Sequence, residues 1–195
     1  DGLWQKGLDA AGIGADKLPE ILECGEKVGS LTEPAARMLG LEAGIPVVTG
    51  AMDQTAAALA GGCIKPGTVT ETTGSALVLA ACTDAPTFAE GHHVTIYRHA
   101  LPGKYIYLPI GNTGGMALRW FRDQFCKDLP GGEAGYDAIN EMVSEIPAGC
   151  EGLTFLPFLS GSVDPDSCPE ATGCFFGARL STTRAHFARS VMESI

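Results

Sequence analysis

Residues 45–62 read IPVVTGAMDQTAAALAGG and combine two different patterns. The first part, Ile45-Pro46-Val47-Val48-Thr49-Gly50, is largely apolar without alternation, which predicts a buried β-strand. The second part, Asp53 through Gly62, is small and rich in alanine, which predicts a helix packed closely against another element. The acidic residue Asp53 therefore stands where a strand ends and a helix begins. Ligands of α/β sheets bind at such strand ends.

Two predicted strand pairs follow this unit. The first joins Thr68–Thr73 to Ala76–Ala80 through a turn at Gly74-Ser75, and the second pairs Val94–Arg98 with Tyr105–Leu108. Helical patterns cover residues 1–14, 32–40, 116–125, 136–146 and the chain from 183 onward, and a further strand is predicted at 153–157. Because helices alternate with strand pairs, the predicted fold class is α/β with an antiparallel or mixed sheet.

Charge and cysteine content limit the classes of partner. The net charge is −10, and a strongly acidic surface repels phosphate backbones, so no nucleic-acid partner is expected. The seven cysteines are odd in number and no two are spaced as C-x-x-C. This predicts reduced thiols in a cytoplasmic protein, most of them small apolar fillers, and no disulfide framework. No apolar run reaches transmembrane length, so no membrane partner is expected.

The two ends of the sequence indicate whether the chain is complete. Asp1-Gly2-Leu3-Trp4 has neither an initiator Met nor the pattern of a signal peptide. The last residues, Arg189–Ile195, stop inside a helical pattern. These features predict an internal fragment of a longer chain.

Three segments are candidates for a site, and each has an ordinary structural alternative. Asp53 either activates a substrate group or caps the helix that follows it, with Gln54 in the first turn. The turn within Thr70–Ala76 either offers N–H and O–H donors to an anion or is a plain hairpin turn. The loop Gly111–Gly115 either offers free N–H groups to a phosphate or is a flexible loop with an N-cap. Residue types alone leave these alternatives open.

The histidines do not predict a metal site, and the aromatic residues do not predict a surface for stacking of a ligand. His92, His93 and His99 have no Cys or carboxylate partners at ligand spacing, so no metal site is predicted. Trp120 and Phe121 are predicted to lie in the core.

The order and spacing of these segments resemble the FGGY family of carbohydrate kinases over nearly the whole chain. The residues that carry the resemblance are Leu18-Pro19-Glu20-Ile21, Gly44–Val48, Gly50–Gln54, Lys65-Pro66-Gly67, Thr73-Gly74-Ser75, Gly115–Asp123, Leu156–Gly161, Gly173, Phe175, Gly177, His186, Phe187 and Ser190–Glu193. Each of these is a modest signal by itself, whereas their combined order is specific.

The resemblance implies an actin-like ATPase fold with ribonuclease H-like domains, of which this chain holds a part. Residues 1–62 would be the last part of the first, sugar-binding domain. Residues 63–195 would be the first part of the second, nucleotide-binding domain. The implied activity is ATP-dependent phosphorylation of a sugar or polyol hydroxyl, of pentulose or polyol type, with Mg²⁺. The implied partners are that sugar or polyol and ATP, and a homodimer is a further hypothesis for the full-length protein.

The resemblance also assigns roles to six residues. Asp53 would be the general base and would contact the substrate together with Gln54. Gly74 and Ser75 would form a phosphate loop. The last two residues, which would lie beside the nucleotide, are Gly115 and Arg119.

Three positions depart from the family pattern. Met52 stands where the family usually has Gly, which predicts a narrower approach to Asp53. Ser162–Pro165 replaces the usual charged and aromatic residues, and Ala178 replaces a larger aliphatic residue. The family's first phosphate loop and its Gly-rich adenosine segment have no counterpart in the sequence. The 195 residues by themselves are therefore expected to lack kinase activity.

Two other readings compete with an active kinase. The chain could be a non-catalytic sugar- or nucleotide-binding protein derived from this fold, but such a protein would be expected to have lost the base, and Asp53 is present. Another actin-like ATPase, such as a chaperone, would share the Thr-Gly-Ser type turn but not the combination of Asp53-Gln54 with the segment from Gly173 to Glu193.

Overall fold

Helices and short antiparallel strands alternate along the chain. The computed structural model describes residues 3–88 and 93–195. Its helices are α1 (Gln5–Ala11), α2 (Glu33–Leu39), α3 (Asp53–Ala60), α4 (Gly115–Phe125), α5 (Glu133–Val143) and α6 (Arg184–Ser194). Its strands are β1 (Lys27–Ser30), β2 (Pro46–Val48), β3 (Val69–Thr73), β4 (Leu77–Thr83), β5 (Ile96–Arg98), β6 (Tyr105–Tyr107), β7 (Ile110–Gly111), β8 (Thr154–Leu156) and β9 (Cys174–Phe176). The pairings between these strands are antiparallel. His92 lies outside the described residues.

Glycines end the first two helices, which lie within the predicted ranges 1–14 and 32–40. Gly12 follows α1 and Gly40 follows α2, with φ of 67° and 66°. A residue with a Cβ is strained in this left-handed conformation, whereas glycine is not. Thr32 stands at the N-cap of α2, although its side chain makes no capping hydrogen bond.

Strand β2 differs from its prediction. It pairs with β1 in a two-stranded sheet, and its Val47 and Val48 side chains are 39% and 53% exposed. The prediction of a buried strand over Ile45–Gly50 is therefore wrong. Its only partner strand in the described part of the chain is β1, whose Gly29 lies opposite Val47 and offers no side chain to cover it.

Helix α3 packs against the main sheet, whose strand order is β3-β4-β6-β5 with β7 also paired to β4. Burial along β4 alternates, and Val78, Ala80 and Cys82 face inward. Ala58 of α3 belongs to the same core cluster as these three residues. Residues 45–62 thus place Asp53 at the first position of α3, a helix that packs on the main sheet.

A second core joins α4, α5 and α6 to the β8–β9 pair. Phe121 is buried, which confirms its predicted place, and Trp120 stacks on Phe155 with ring centroids 6.1 Å apart. Helix α5 begins at Glu133, three residues before the predicted start at Tyr136. It includes Gly135, where a Cβ would lie 2.3 Å from a backbone carbonyl oxygen.

Four of the seven cysteines are buried, as predicted for apolar fillers: Cys63, Cys82, Cys126 and Cys150. None of the helices in residues 3–88 and 93–195 combines the length and the apolar character needed to cross a membrane.

Candidate active site

Asp53 is the first residue of α3, and its side chain is exposed. The backbone N–H of Gln54 donates to Asp53 Oδ1 at 2.7 Å, so the carboxylate accepts from one of the N–H groups that a helix start leaves unpaired. The N-cap position is Met52, and no side chain makes a capping hydrogen bond there, so Asp53 lies in the first turn of α3 and does not cap it. An exposed carboxylate held in this way is still accessible to a substrate hydroxyl.

The backbone before Asp53 is fixed by its own helix. The carbonyl oxygen of Met52 accepts from the N–H of Ala56 at 2.9 Å and from the hydroxyl of Thr55 at 2.8 Å. Thr55 is buried, with 2% of its surface exposed. The Met52 side chain is 38% exposed. This position was predicted to narrow the approach to Asp53.

A cavity of about 270 Å³ lies beside this helix start. Its walls are Ile21–Cys24, Gly50–Met52 with Thr55, and Tyr97–Ala100. Small-molecule sites span roughly 300–1,000 Å³, and this cavity lies just below that range. The walls come from both sides of the predicted domain boundary at residues 62 and 63, a boundary that stays a prediction.

One ion pair crosses this cavity wall. The guanidinium of Arg98, at the end of β5, donates to the carboxylate of Glu23. The neighbouring His99 accepts the N–H of Leu101 at Nδ1 (2.9 Å), so its Nε2 carries the proton and donates to the carbonyl oxygen of Cys63 at 2.8 Å. The sequence did not reveal the Glu23–Arg98 ion pair because its members are 75 positions apart.

The turn at Gly74-Ser75 contacts the start of α4. The N–H of Gly114 donates to the carbonyl of Ser75 at 2.9 Å, and that of Gly115 donates to the carbonyl of Gly74 at 2.8 Å. A Cβ on Gly114 would lie 2.8 Å from the backbone carbon of Ala76. The structure therefore brings together two of the three predicted segments, and the absence of side chains at these glycines permits the contact.

Of the two alternatives left open for Gly111–Gly115, the structure does not support the one with free N–H groups at the start of α4. The N–H groups of Gly114, Gly115 and Met116 are bonded to carbonyls of the turn, the last at 3.2 Å. The backbones approach so closely that these donors are used within the protein. The Ser75 side chain is exposed and remains accessible to a phosphate.

Arg119 lies one helical turn beyond Gly115, and its side chain is exposed. Residues four apart share a helix face. A nucleotide bound near the turn would therefore meet the side of α4 that carries Arg119, which keeps its predicted role open.

Asp164, within the departure at Ser162–Pro165, has a structural role that the sequence did not reveal. Its Oδ2 accepts from the N–H of Ile110 at 3.1 Å, and its Oδ1 accepts from the hydroxyl and N–H of Thr95 at 3.2 and 3.4 Å. Asp164 thus ties the irregular segment to the main sheet.

Glu193, one of the residues that carry the resemblance, bonds α6 to the loop at Gly149, which follows α5. Its carboxylate accepts from Arg189 Nε at 2.7 Å and from the N–H of Gly149 at 3.0 and 3.2 Å. The hydrogen bond from Arg189 is the main cause that lowers the pKa of Glu193. Burial, and secondarily Glu193, raise the pKa of the Cys150 thiol to about 11, so Cys150 is not a poised nucleophile.

Most of the chain matches the domain models of one protein family. Residues 2–60 match the model of the FGGY family of carbohydrate kinases, N-terminal domain, and residues 69–195 match that of its C-terminal domain. The xylulose kinase from Rhodospirillum rubrum superposes with a TM-score of 0.84 at 31% identity, over 96% of this chain and 37% of that chain. The structure is thus part of an actin-like ATPase fold.

Two relatives are similar to the chain over most of its length. The L-xylulose/3-keto-L-gulonate kinase of Escherichia coli (strain K12) is 32% identical over 178 residues, which cover 91% of this chain and 34% of the relative. The gluconokinase of Bacillus subtilis (strain 168) is 29% identical over 98% of this chain and 38% of its own length. The chain belongs to the FGGY family of carbohydrate kinases. It spans 34–38% of the length of these two relatives.

Proposed function

We propose that this chain is part of an ATP-dependent kinase that phosphorylates a hydroxyl group of a sugar or polyol, and that the substrate is of pentulose or polyol type. The observation that carries the proposal is the exposed carboxylate of Asp53 at the start of α3, directly after Gly50–Met52, which line a cavity of about 270 Å³. Membership of a carbohydrate kinase family supports it.

Asp53 would act as the general base. Its carboxylate accepts the proton of the substrate hydroxyl while that oxygen forms a bond to the γ-phosphorus of ATP. The bond between this phosphorus and the β,γ-bridging oxygen breaks, and ADP leaves with the electron pair. A positioned base of this kind contributes roughly 10²–10⁴-fold in rate. Gln54, half-buried next to Asp53, would contact the substrate.

The turn and α4 would receive the nucleotide. Gly74 and Ser75 form the exposed part of the turn, and Gly115 and Arg119 lie on the helix that the turn contacts. Because the N–H groups at the start of α4 are already bonded, the Ser75 hydroxyl and the Arg119 guanidinium are the groups proposed to meet the phosphates. Arginine suits this role because its planar fork matches phosphate oxygens.

Magnesium would arrive with ATP as part of the substrate. The residues that the structure describes contain no group of three or more His, Cys, Asp or Glu side chains that could hold a metal ion by themselves. Mg²⁺ in kinase sites is usually bound by one or two carboxylates together with the substrate phosphates, so such a cluster is not required for this role.

The proposed function is tested by a substrate panel. The complete kinase that carries this chain is incubated with ATP, Mg²⁺ and, one at a time, xylulose, ribulose, glycerol and gluconate, and ADP release is measured. We expect sugar-dependent ADP release with at least one pentulose or polyol. ADP release that is absent with every substrate, or independent of sugar, would contradict the proposal.

A further inference from the structure

We propose that the Glu23–Arg98 ion pair lines the substrate pocket and selects uncharged sugars or polyols over sugar acids. This inference rests on the proposed function, because it assigns the cavity beside Asp53 to the substrate. It concerns the charge of the substrate, which differs among the relatives: they include kinases named for L-xylulose, a neutral sugar, and for the sugar acids 3-keto-L-gulonate and gluconate.

The first observation is the position of the pair. Glu23 and Arg98 line the same cavity as Gly50–Met52, the residues that lead directly into Asp53. Their side chains are 40% and 47% exposed. A ligand in the cavity therefore has access to both charged groups.

The second observation is that Glu23 is anchored to the Asp53 segment. Its carbonyl accepts from the hydroxyl of Thr49, the residue before Gly50, and its N–H donates to Glu26 Oε2 at 2.8 Å. The N–H of Glu26 in turn donates to the Thr49 hydroxyl oxygen at 3.1 Å. Glu23 is thus held near the segment that carries the proposed base.

Arg98 is anchored from the other side. It is paired with Tyr105 across β5 and β6, and the next residue, His99, is bonded to the carbonyl of Cys63 just beyond α3. The backbones of both members of the pair are therefore held in place. A ligand meets a preformed carboxylate–guanidinium pair and not two free chains.

The third observation is the charge of the cavity. Among the described residues that line it, Glu23 and Arg98 carry opposite charges that cancel, and both ring nitrogens of His99 are already bonded to backbone groups. Hydroxyl groups donate to a carboxylate and accept from a guanidinium, so a polyhydroxylated neutral ligand can satisfy both.

A sugar acid fits this cavity poorly. Its carboxylate can reach the Arg98 guanidinium only beside the Glu23 carboxylate, and like charges at short range repel. The net charge of −10 over the chain adds long-range repulsion. Removal of Glu23 would leave Arg98 free to bind the acid, whereas removal of Arg98 would leave Glu23 unpaired.

The test is the ratio of kcat/KM for gluconate to that for the best neutral substrate, measured with the complete kinase. We expect Glu23→Gln to raise this ratio about tenfold or more and Arg98→Leu to lower it. Arg98→Lys keeps the positive charge and should retain the wild-type ratio. A retained ratio in Arg98→Lys would show that a lower ratio in Arg98→Leu comes from loss of the charge and not from misfolding. Matched controls are Glu33→Gln and Arg37→Leu, which change an exposed ion pair on α2 (3.6 Å) and should leave the ratio unchanged.

Two outcomes would overturn the inference. One is a wild-type kinase that prefers gluconate to every neutral substrate. The other is a Glu23→Gln variant in which both substrates change by the same factor, which would make the pair a structural contact only. A kinase inactive with all sugars would instead contradict the proposed function, and the inference would fail with it.

Discussion

Gly114 shows how a single residue governs the contact between the turn and α4. Its N–H is bonded to Ser75, and the backbone of Ala76 leaves no space for a side chain. The sequence predicts both the turn and the helix start, but it does not show that they touch. The contact depends on a backbone approach that only the three-dimensional structure displays.

We predict that Gly114→Ala destabilises the protein by about 1–3 kcal/mol, the usual cost of forcing a methyl group into a packed site. The new Cβ would lie 2.8 Å from backbone atoms that cannot rotate away. Denaturant unfolding measures the loss. The control is Gly131→Ala, where no atom lies within 4 Å of the added Cβ, and equal stability of the two variants would contradict the account.

Asp53 and Asp164 mark the limits of prediction at this scale. Asp53 is recognisable because its position depends on a local pattern, a strand followed by a small-residue helix. Asp164 bonds to Thr95, 69 positions away, and no local pattern encodes such a distance. The Glu23–Arg98 pair is hidden in the sequence for the same reason.

At the scale of elements, local sequence signals predicted which helices and strands exist better than they predicted which of them are buried. The glycine-ended helices α1 and α2 and the two strand pairs of the main sheet form as predicted, because turn and cap residues act over a few positions. The burial of β2 was mispredicted, since burial depends on which element packs against a strand. Strand β1 was missed, and its Gly29 weakens the strand pattern.

The attachment of α6 through Glu193 has a pH dependence. Because the pKa of Glu193 in the folded protein lies below its ordinary value of 4.5, the folded state gains stability above that value and loses it as the pH falls through the folded pKa. We predict that the unfolding midpoint of the wild type declines more steeply below about pH 4.5 than that of Glu193→Gln.

Thermal unfolding across the acidic range provides this measurement. The control is Glu145→Gln, which removes an exposed carboxylate near the same loop and should keep the wild-type slope. Parallel curves for the wild type and Glu193→Gln would show that Glu193 does not couple folding to protonation.

At the scale of the whole molecule, the chain spans only 34–38% of the length of its two characterised relatives. The described cavity is open, and its walls come from short segments. We predict that the 195 residues by themselves do not turn over ATP with sugar, because positioning of both substrates supplies much of the rate in phosphoryl transfer. A coupled ADP-release assay on the purified chain checks this, and turnover equal to that of the complete kinase would contradict it.

The proposed phosphoryl transfer depends on Asp53, and the most direct measurement compares Asp53→Asn with the wild type in the complete kinase. Asparagine keeps an oxygen that can accept the N–H of Gln54, so the start of α3 is preserved while the base is lost. Asp137→Asn, an exposed position on α5, is the matched control. We predict that kcat for sugar phosphorylation falls roughly 10²–10⁴-fold in Asp53→Asn, with ATP affinity unchanged. Wild-type turnover in Asp53→Asn would contradict the assignment of Asp53 as the base.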